Sequence, residues 1–262
     1  MNGIMYRRFG TLRVDLDVDF DQPSRPHLIT QVLACCSTPE RGWSSDESGL
    51  WKLSVGARIA GLLRITACSG DAKFPVRRTC KTCGEAMELE LTVDELLERH
   101  AAADGPITVS LGNDEVIVRR PTGNDQLSWQ ERQYADEREA RNAIIRTLVV
   151  AASGSWTADS PVPYRVFDAV EKVMRLQDPL VSLAADVRCP HCGTQHPYEI
   201  DLEALALERL RLLQREVLQD VYRLVRHFHW TESQIFAIPP WRRAQYLALL
   251  RRDEDARNEV LH

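Results

Sequence analysis

The chain has 262 residues, a formal net charge of −5, an isoelectric point near 5.8, and 44% hydrophobic against 27% charged residues. That length corresponds to one or two domains and is ample for a hydrophobic core without disulfides. The acidic balance argues against a generic nucleic-acid coat, and no apolar run approaches the ~20 residues of a membrane span.

Residues Met1 to Arg8 lack the apolar stretch of a signal peptide, so the cytoplasm is the expected compartment. Leu12, Val14, Leu16, Val18 and Phe20 alternate with Arg13, Asp15, Asp17 and Asp19, which predicts a half-buried strand with a solvated acidic face. Gln22-Pro23-Ser24-Arg25-Pro26 breaks it. The broad apolar stripe of Trp51 to Ala67 predicts a helix, and residues 94–103 a second, shorter one. Ile107, Val109 and Leu111 face Val116 and Val118 across Gly112-Asn113-Asp114-Glu115, the pattern of a hairpin. Arg119 to Asp125 lacks the spacing of a phosphate loop and reads as a turn that caps a helix over 125–152, with Ile144, Leu148 and Ala151 packed.

A Gly-, Ser-, Asp- and Pro-rich loop is expected over 153–163, then a helix over 164–176. Leu207, Leu210, Leu213, Val217, Val221, Leu224 and Phe228 recur at helical spacing and predict one helix over 203–229. Thr231-Glu232-Ser233-Gln234 is a capping box, Pro239-Pro240 a stop, and 241–252 a last helix before a frayed polar tail from Asp253.

Chemistry concentrates in the cysteines. Of seven, Cys35, Cys36 and Cys68 carry no motif and read as small buried side chains. The other four form Cys80-Lys81-Thr82-Cys83-Gly84 and Cys189-Pro190-His191-Cys192-Gly193. Two residues between cysteines let both sulfurs of a tight turn face one ion, and a following glycine accepts the positive φ that folds the chain back. The segments after the glycines repeat at an offset of 109: Leu89 meets Tyr198, Leu91 meets Ile200, Val93 meets Leu202 and Leu96 meets Leu205. Each copy reads as knuckle, strand and helix start, so together they predict a split zinc ribbon with Cys80, Cys83, Cys189 and Cys192 holding a structural Zn2+. Residues 84–188 separate the halves, an insertion that chain entropy tolerates because each doubling of a loop costs only about 0.6 kcal/mol. Redox chemistry is one rival for Cys-Pro-His-Cys, but it needs the first cysteine at a helix N-terminus, where a strand is predicted instead. A second rival is two unrelated pairs that share no ion, and a third is a catalytic zinc with an open position. His191 and His196 read as exposed turn residues.

The expected fold is α+β: a mainly helical body with a split four-cysteine zinc ribbon and small β-hairpins. Residues 1–205 form the zinc-tied domain, with the helical and hairpin insertion 94–188 between the knuckles, and 206–262 form a C-terminal helical segment. Phe228, Trp230, Ile235, Phe236, Trp241 and Tyr246 crowd aromatic and apolar bulk into that segment, as core or as a partner-binding surface.

The hairpin and turn from Gly105 to Asp125, the Cys-x-x-Cys-Gly-plus-strand unit and the closing Phe228-His229-Trp230-Thr231-Glu232-Ser233-Gln234-Ile235 box resemble the baseplate hub assembly proteins of T4-like phage tails and their relatives in contractile injection systems. Ile235, Pro239 and Arg242 to Leu247 also resemble the ends of phage tail assembly chaperones. The resemblance implies a non-enzymatic protein that chaperones or nucleates tail and baseplate hub components, in the producing bacterium's cytoplasm or retained in the particle. It carries over no catalytic residue, and zinc rests on the cysteine spacing alone. The alternative is a zinc-ribbon nucleic-acid binder in which Arg77, Arg78, Arg119 and Arg120 touch phosphates.

Overall fold

Strand β1 (Met5–Tyr6) opens the chain and pairs antiparallel with β2 (Ser37–Thr38), which directly follows helix α1 (Arg25–Cys36). The computed structural model describes residues 4–38, 47–70, 72–101, 105–112, 114–153 and 162–260. The expected loop over 153–163 therefore falls mostly outside the described residues.

Between β1 and α1 the chain departs from the alternating strand expected over 12–20. Arg13–Asp17 is a 3-10 turn, Leu12 and Val14 are exposed, and Asp15, expected on the solvated face, is fully buried. The cause is polar. The Asp15 carboxylate accepts hydrogen bonds from the Arg7 guanidinium at 2.8 Å and from the amides of Thr11 and Leu12 at 3.0 and 3.1 Å, which winds the backbone around it. Alternation alone misses this, because it weighs apolar spacing and not a buried ion pair. Helix α1 has no counterpart among the expected elements. Pro26 stands at its second residue, a helix-starting signal that reads equally as a strand breaker. The helix buries Leu28, Ile29, Val32, Leu33 and Cys36.

The helix expected over 51–67 is two helices, α2 (Glu47–Lys52) and α3 (Val55–Cys68), separated at Ser54, whose side chain caps α3 by accepting from the Ala57 amide at 3.2 Å. Arg58 of α3 is fully buried, stacked 5.0 Å over the Trp51 ring and bonded to the carbonyls of Leu50 and Pro26 and to Thr30 Oγ1. One cation thus joins α1, α2 and α3. Cys36 is buried as expected, but Cys35 is only half-buried and Cys68 is exposed at the end of α3.

Strands β3 (Lys73–Thr79) and β4 (Ala86–Thr92) form a hairpin across the first knuckle, and β4 runs directly into α4 (Val93–Ala101). The predicted hairpin is β5 (Ile107–Leu111) with β6 (Asp114–Val118). The single helix expected over 125–152 is instead α5 (Gly123–Glu131), α6 (Glu137–Leu148) and strand β7 (Val149–Ser153). Asp136 caps α6, and β7 satisfies the second edge of β6, so Ala151 is exposed on a strand. Helix α7 (Tyr164–Gln177) covers this three-stranded sheet through Val166 and Val170, which share a core with Ile107, Val109, Val116, Val118, Ile145 and Leu148. The insertion thus carries a core of its own.

Strands β8 (Leu183–Arg188) and β9 (Gln195–Ile200) flank the second knuckle and lead into α8 (Leu202–Phe228), the long helix expected over 203–229. It runs without a break through residues 205 and 206. Its first turns pack with α3, α4 and β9, and Gln214 donates to the carbonyls of Asp15, Leu16 and Val18. Its end packs with α9 (Glu232–Ala237), capped by Thr231 and Gln234 as the capping box predicts, and with α10 (Pro240–Val260). The α10 backbone stays helical to Val260, past the fraying expected from Asp253. Among the described residues the fold is mixed α+β, 56% helix and 20% strand in small antiparallel sheets, as expected.

Candidate metal centre

The two cysteine knuckles are built by one rule. In the first, the Cys80 amide donates to the Glu85 carbonyl at 2.8 Å and the Gly84 amide to the Cys80 carbonyl at 3.0 Å. In the second, the Cys189 amide donates to the Thr194 carbonyl at 2.9 Å and the Gly193 amide to the Cys189 carbonyl at 2.9 Å. Each bond maps onto its counterpart at the offset of 109. Gly84 and Gly193 take φ of 77° and 73°, the left-handed region the turn requires and an L side chain resists. Strand register agrees as well, Arg78 opposite Met87 matching Val187 opposite His196.

The repeat extends further back than the sequence revealed. Helices α3 and α7 are both 14 residues long and begin at 55 and 164, again 109 apart. Each copy is therefore helix, strand, knuckle, strand, helix: α3-β3-β4-α4 and α7-β8-β9-α8. The two leading helices escape detection because their side chains diverge. Arg58, buried in α3, corresponds to Phe167 of α7, whose ring lies 4.7 Å from the Arg141 guanidinium. The backbone plan survives where the packing does not.

Cys80, Cys83, Cys189 and Cys192 come together with all four sulfurs within 4.8 Å of one another. Sγ of Cys80 lies 3.7 Å from that of Cys192, and Sγ of Cys83 lies 3.7 Å from that of Cys189. A disulfide requires about 2.05 Å, so these are free sulfurs. Four ligands placed tetrahedrally at about 2.3 Å from one zinc ion would sit about 3.8 Å apart. The fit is close. A tetrahedral four-sulfur set suits zinc or iron and could hold such an ion.

Electrostatics around the sulfurs is uneven. Cys192 is pulled down to about 6, first by the Thr194 hydroxyl 3.4 Å away and then by the Thr194 amide. Cys80 is lowered by the amides of Cys83 and Thr82. For Cys83 the largest influence, the Glu85 amide, favours the thiolate, yet local desolvation and the neighbouring sulfurs outweigh it and push the group up to about 12. Thiolates this close repel one another, and a divalent cation between them removes the conflict. Cys80 and Cys189 are buried with Met87 and Tyr198, while Cys83 and Cys192 face outward. Tyr198 locks the two hairpins together by donating to the Thr79 carbonyl at 3.0 Å, and Lys81 sits 5.3 Å over its ring. His191 is exposed as expected. His196 is half-buried on β9 instead of in a turn, with Nε2 2.9 Å from Thr82 Oγ1 across the knuckles. Each knuckle is followed by a strand, so neither first cysteine stands at the helix N-terminus that redox chemistry needs.

Of the four arginines considered for phosphate contact, two are committed elsewhere. Arg119 pairs with Asp125 at 2.6 Å and Arg120 is nearly buried against Asp178 at 3.0 Å, whereas Arg77, 3.2 Å from Glu88, stays 86% exposed and Arg78 donates to the Arg77 carbonyl. The C-terminal residues separate by burial. Ile235 is fully buried; Phe228, Trp230, Phe236 and Tyr246 are half-buried, with Phe228 and Trp230 stacked at 4.5 Å; only Trp241 is well exposed. Most of the set is therefore core of the α8-α9-α10 corner. Among the described residues no helix is long and apolar enough to cross a membrane. Compared with protein-family models, curated proteins and solved structures, the chain matches none.

Proposed function

We propose that the chain is a non-enzymatic assembly protein in which one structural zinc ion, held by Cys80, Cys83, Cys189 and Cys192, fastens two copies of an α-β-knuckle-β-α unit into a rigid body. The observation that carries this reading is the four-sulfur cluster itself: each repeat supplies two of the four sulfurs, and a zinc ion bound by all four would have no open position for a substrate. Leu218, Tyr222 and Val225 form an exposed apolar stripe at helical spacing on α8, which supports a role in contacting partners. The partners we assign are tail or baseplate hub components of a phage-like particle, following the resemblance of residues 105–125 and 228–247. The commitment of Arg119 and Arg120 to carboxylates weighs against the nucleic-acid reading.

Two measurements test this. Elemental analysis of protein purified without chelators is expected to give one zinc per chain, and co-expression with neighbouring tail or hub genes a stable complex. Purification alone beside every tube, hub and sheath candidate would refute the assembly role. Zinc binding is also expected to release protons at pH 8, because cysteines that are thiols in the metal-free protein must become thiolate ligands. Calorimetric titration in two buffers of different ionisation heat reads this directly, and a buffer-independent heat would contradict it.

A further inference from the structure

On the side of α8 facing the N-terminal turn lies a groove of about 580 Å3, between residues 8–11, α8 and the first turns of α10. Its size falls within the range of about 300–1,000 Å3 of ordinary ligand sites. Val217, Val221, Ile235 and Leu247 contribute apolar lining. Gly10 forms part of the wall at φ 80°, and a Cβ there would lie 2.9 Å from Val217 Cγ2, so the wall comes as near to α8 as a backbone can.

Charge in the groove is lopsided. Arg243 lines it although only 8% of the residue is exposed, and its guanidinium makes one long hydrogen bond, 3.4 Å to the Thr11 carbonyl, besides lying 4.7 Å over the Phe236 ring. Arg8 reaches the groove from the opposite wall with no ion pair among the described residues. The one acidic lining residue, Asp220, stands 3.9 Å from Arg251. Next to Arg243, Trp241 is 64% exposed, a large flat side chain at the rim. Asp220 acts on Arg243 electrostatically, yet the guanidinium has only one long direct hydrogen bond, and an incoming carboxylate would give it a charge-assisted partner.

We infer that this groove is a docking site for a short acidic, apolar segment of a partner protein, with its carboxylate between Arg8 and Arg243 and its large apolar side chain on Val217 and Leu247 beneath Trp241. The inference deepens the assembly reading and rests on it by naming the chemistry of the partner. The apolar lining and Asp220 favour a peptide over a nucleic-acid strand, whose phosphates would follow exposed cations instead of entering an oily groove.

The test uses the full-length, metal-loaded chain and an array of fluorescein-labelled ten-residue peptides, each with one glutamate flanked by varied pairs of Leu, Phe, Ile or Met. Binding is read by polarisation. Members of the array are expected to bind, to weaken at least tenfold when the glutamate becomes glutamine, and to weaken at least tenfold on R243Q. Because Arg243 is nearly buried and R243Q could disturb the fold, R8E and W241S at exposed positions serve as the second pair of variants. Both should lose affinity with unchanged circular dichroism and metal content. No binding by any peptide, equal binding of the glutamine peptides, unaltered affinity in R8E and W241S, or preferential binding of an oligothymidylate would each overturn the groove assignment. If the variants still capture tail partners in co-expression while the peptides fail, the groove falls and the assembly reading stands. If peptides bind but no tail component is captured, the assembly reading falls instead.

Discussion

Replacing Cys189 with serine is expected to remove the metal and the fold together. Four thiolates around one structural zinc contribute roughly 10–16 kcal/mol at neutral pH, comparable to the ~5–15 kcal/mol total stability of a typical domain. The buried Cys189 sulfur sits 3.7 Å from Cys83, and its knuckle closes the hairpin that feeds both the core around Val93, Leu96 and Leu202 and the start of α8. Loss of one ligand therefore propagates into the body of the molecule. The expected result for C189S, and equally for C80S, is less than one zinc per chain, reduced helical circular dichroism and insoluble expression. Chelation of the wild-type protein should reproduce this at a lower melting temperature. A C189S variant that melts as the wild type does would mean that the knuckles are held by packing alone.

The second large effect is expected at Asp15. Its carboxylate is completely enclosed, and it satisfies the Arg7 guanidinium and two backbone amides at once. Removing one partner of such a pair strands the other charge, a loss of about 3–5 kcal/mol. D15A should therefore fall by that amount in urea melts, and the double variant R7A/D15A should recover part of the loss, the signature of coupling in a mutant cycle. A decrease below about 1 kcal/mol, the worth of an ordinary exposed pair, would show that the turn is fixed by Gln214 and the apolar contacts instead. The comparable pair, Arg119 with Asp125, holds a more exposed arginine, so D125A should cost less. Burial tends to raise the Asp125 carboxyl, but Arg119 and the Thr122 amide and hydroxyl outweigh it and leave the group lowered. Its stabilisation is thus complete above the unfolded value and fades as pH falls through the folded one.

What the sequence disclosed followed from how local each signal was. The knuckles, their glycines, α8 and the Thr231 capping box each depend on residues within one or two turns, and all appear where the pattern put them. The four-cysteine cluster was legible despite the residues between its halves because the repeat registers the halves without reference to what separates them. Where a distant partner decides, the pattern failed. Asp15 is claimed by Arg7 and roofed by Gln214, nearly two hundred residues later in the chain, and no alternation rule contains that information. Similarly, β7 reads as the end of a helix because the open edge of β6 that captures it is a tertiary feature. The groove beside Arg243 also escaped, since the N-terminal turn, α8 and α10 meet only in the fold.

A zinc site of the proposed kind, divided between two repeats, would have a consequence for synthesis. When the first Cys-x-x-Cys leaves the ribosome, 109 residues must still be added before its counterpart follows, which at about 5–20 residues per second is a wait of roughly 5–20 s. Throughout that interval the nascent chain displays two thiols that can bind an ion but not close its shell. On a crowded polysome the nearest complementary pair belongs to the same knuckle of an adjacent nascent chain, so fast translation and scarce free zinc both favour correct closure within one molecule.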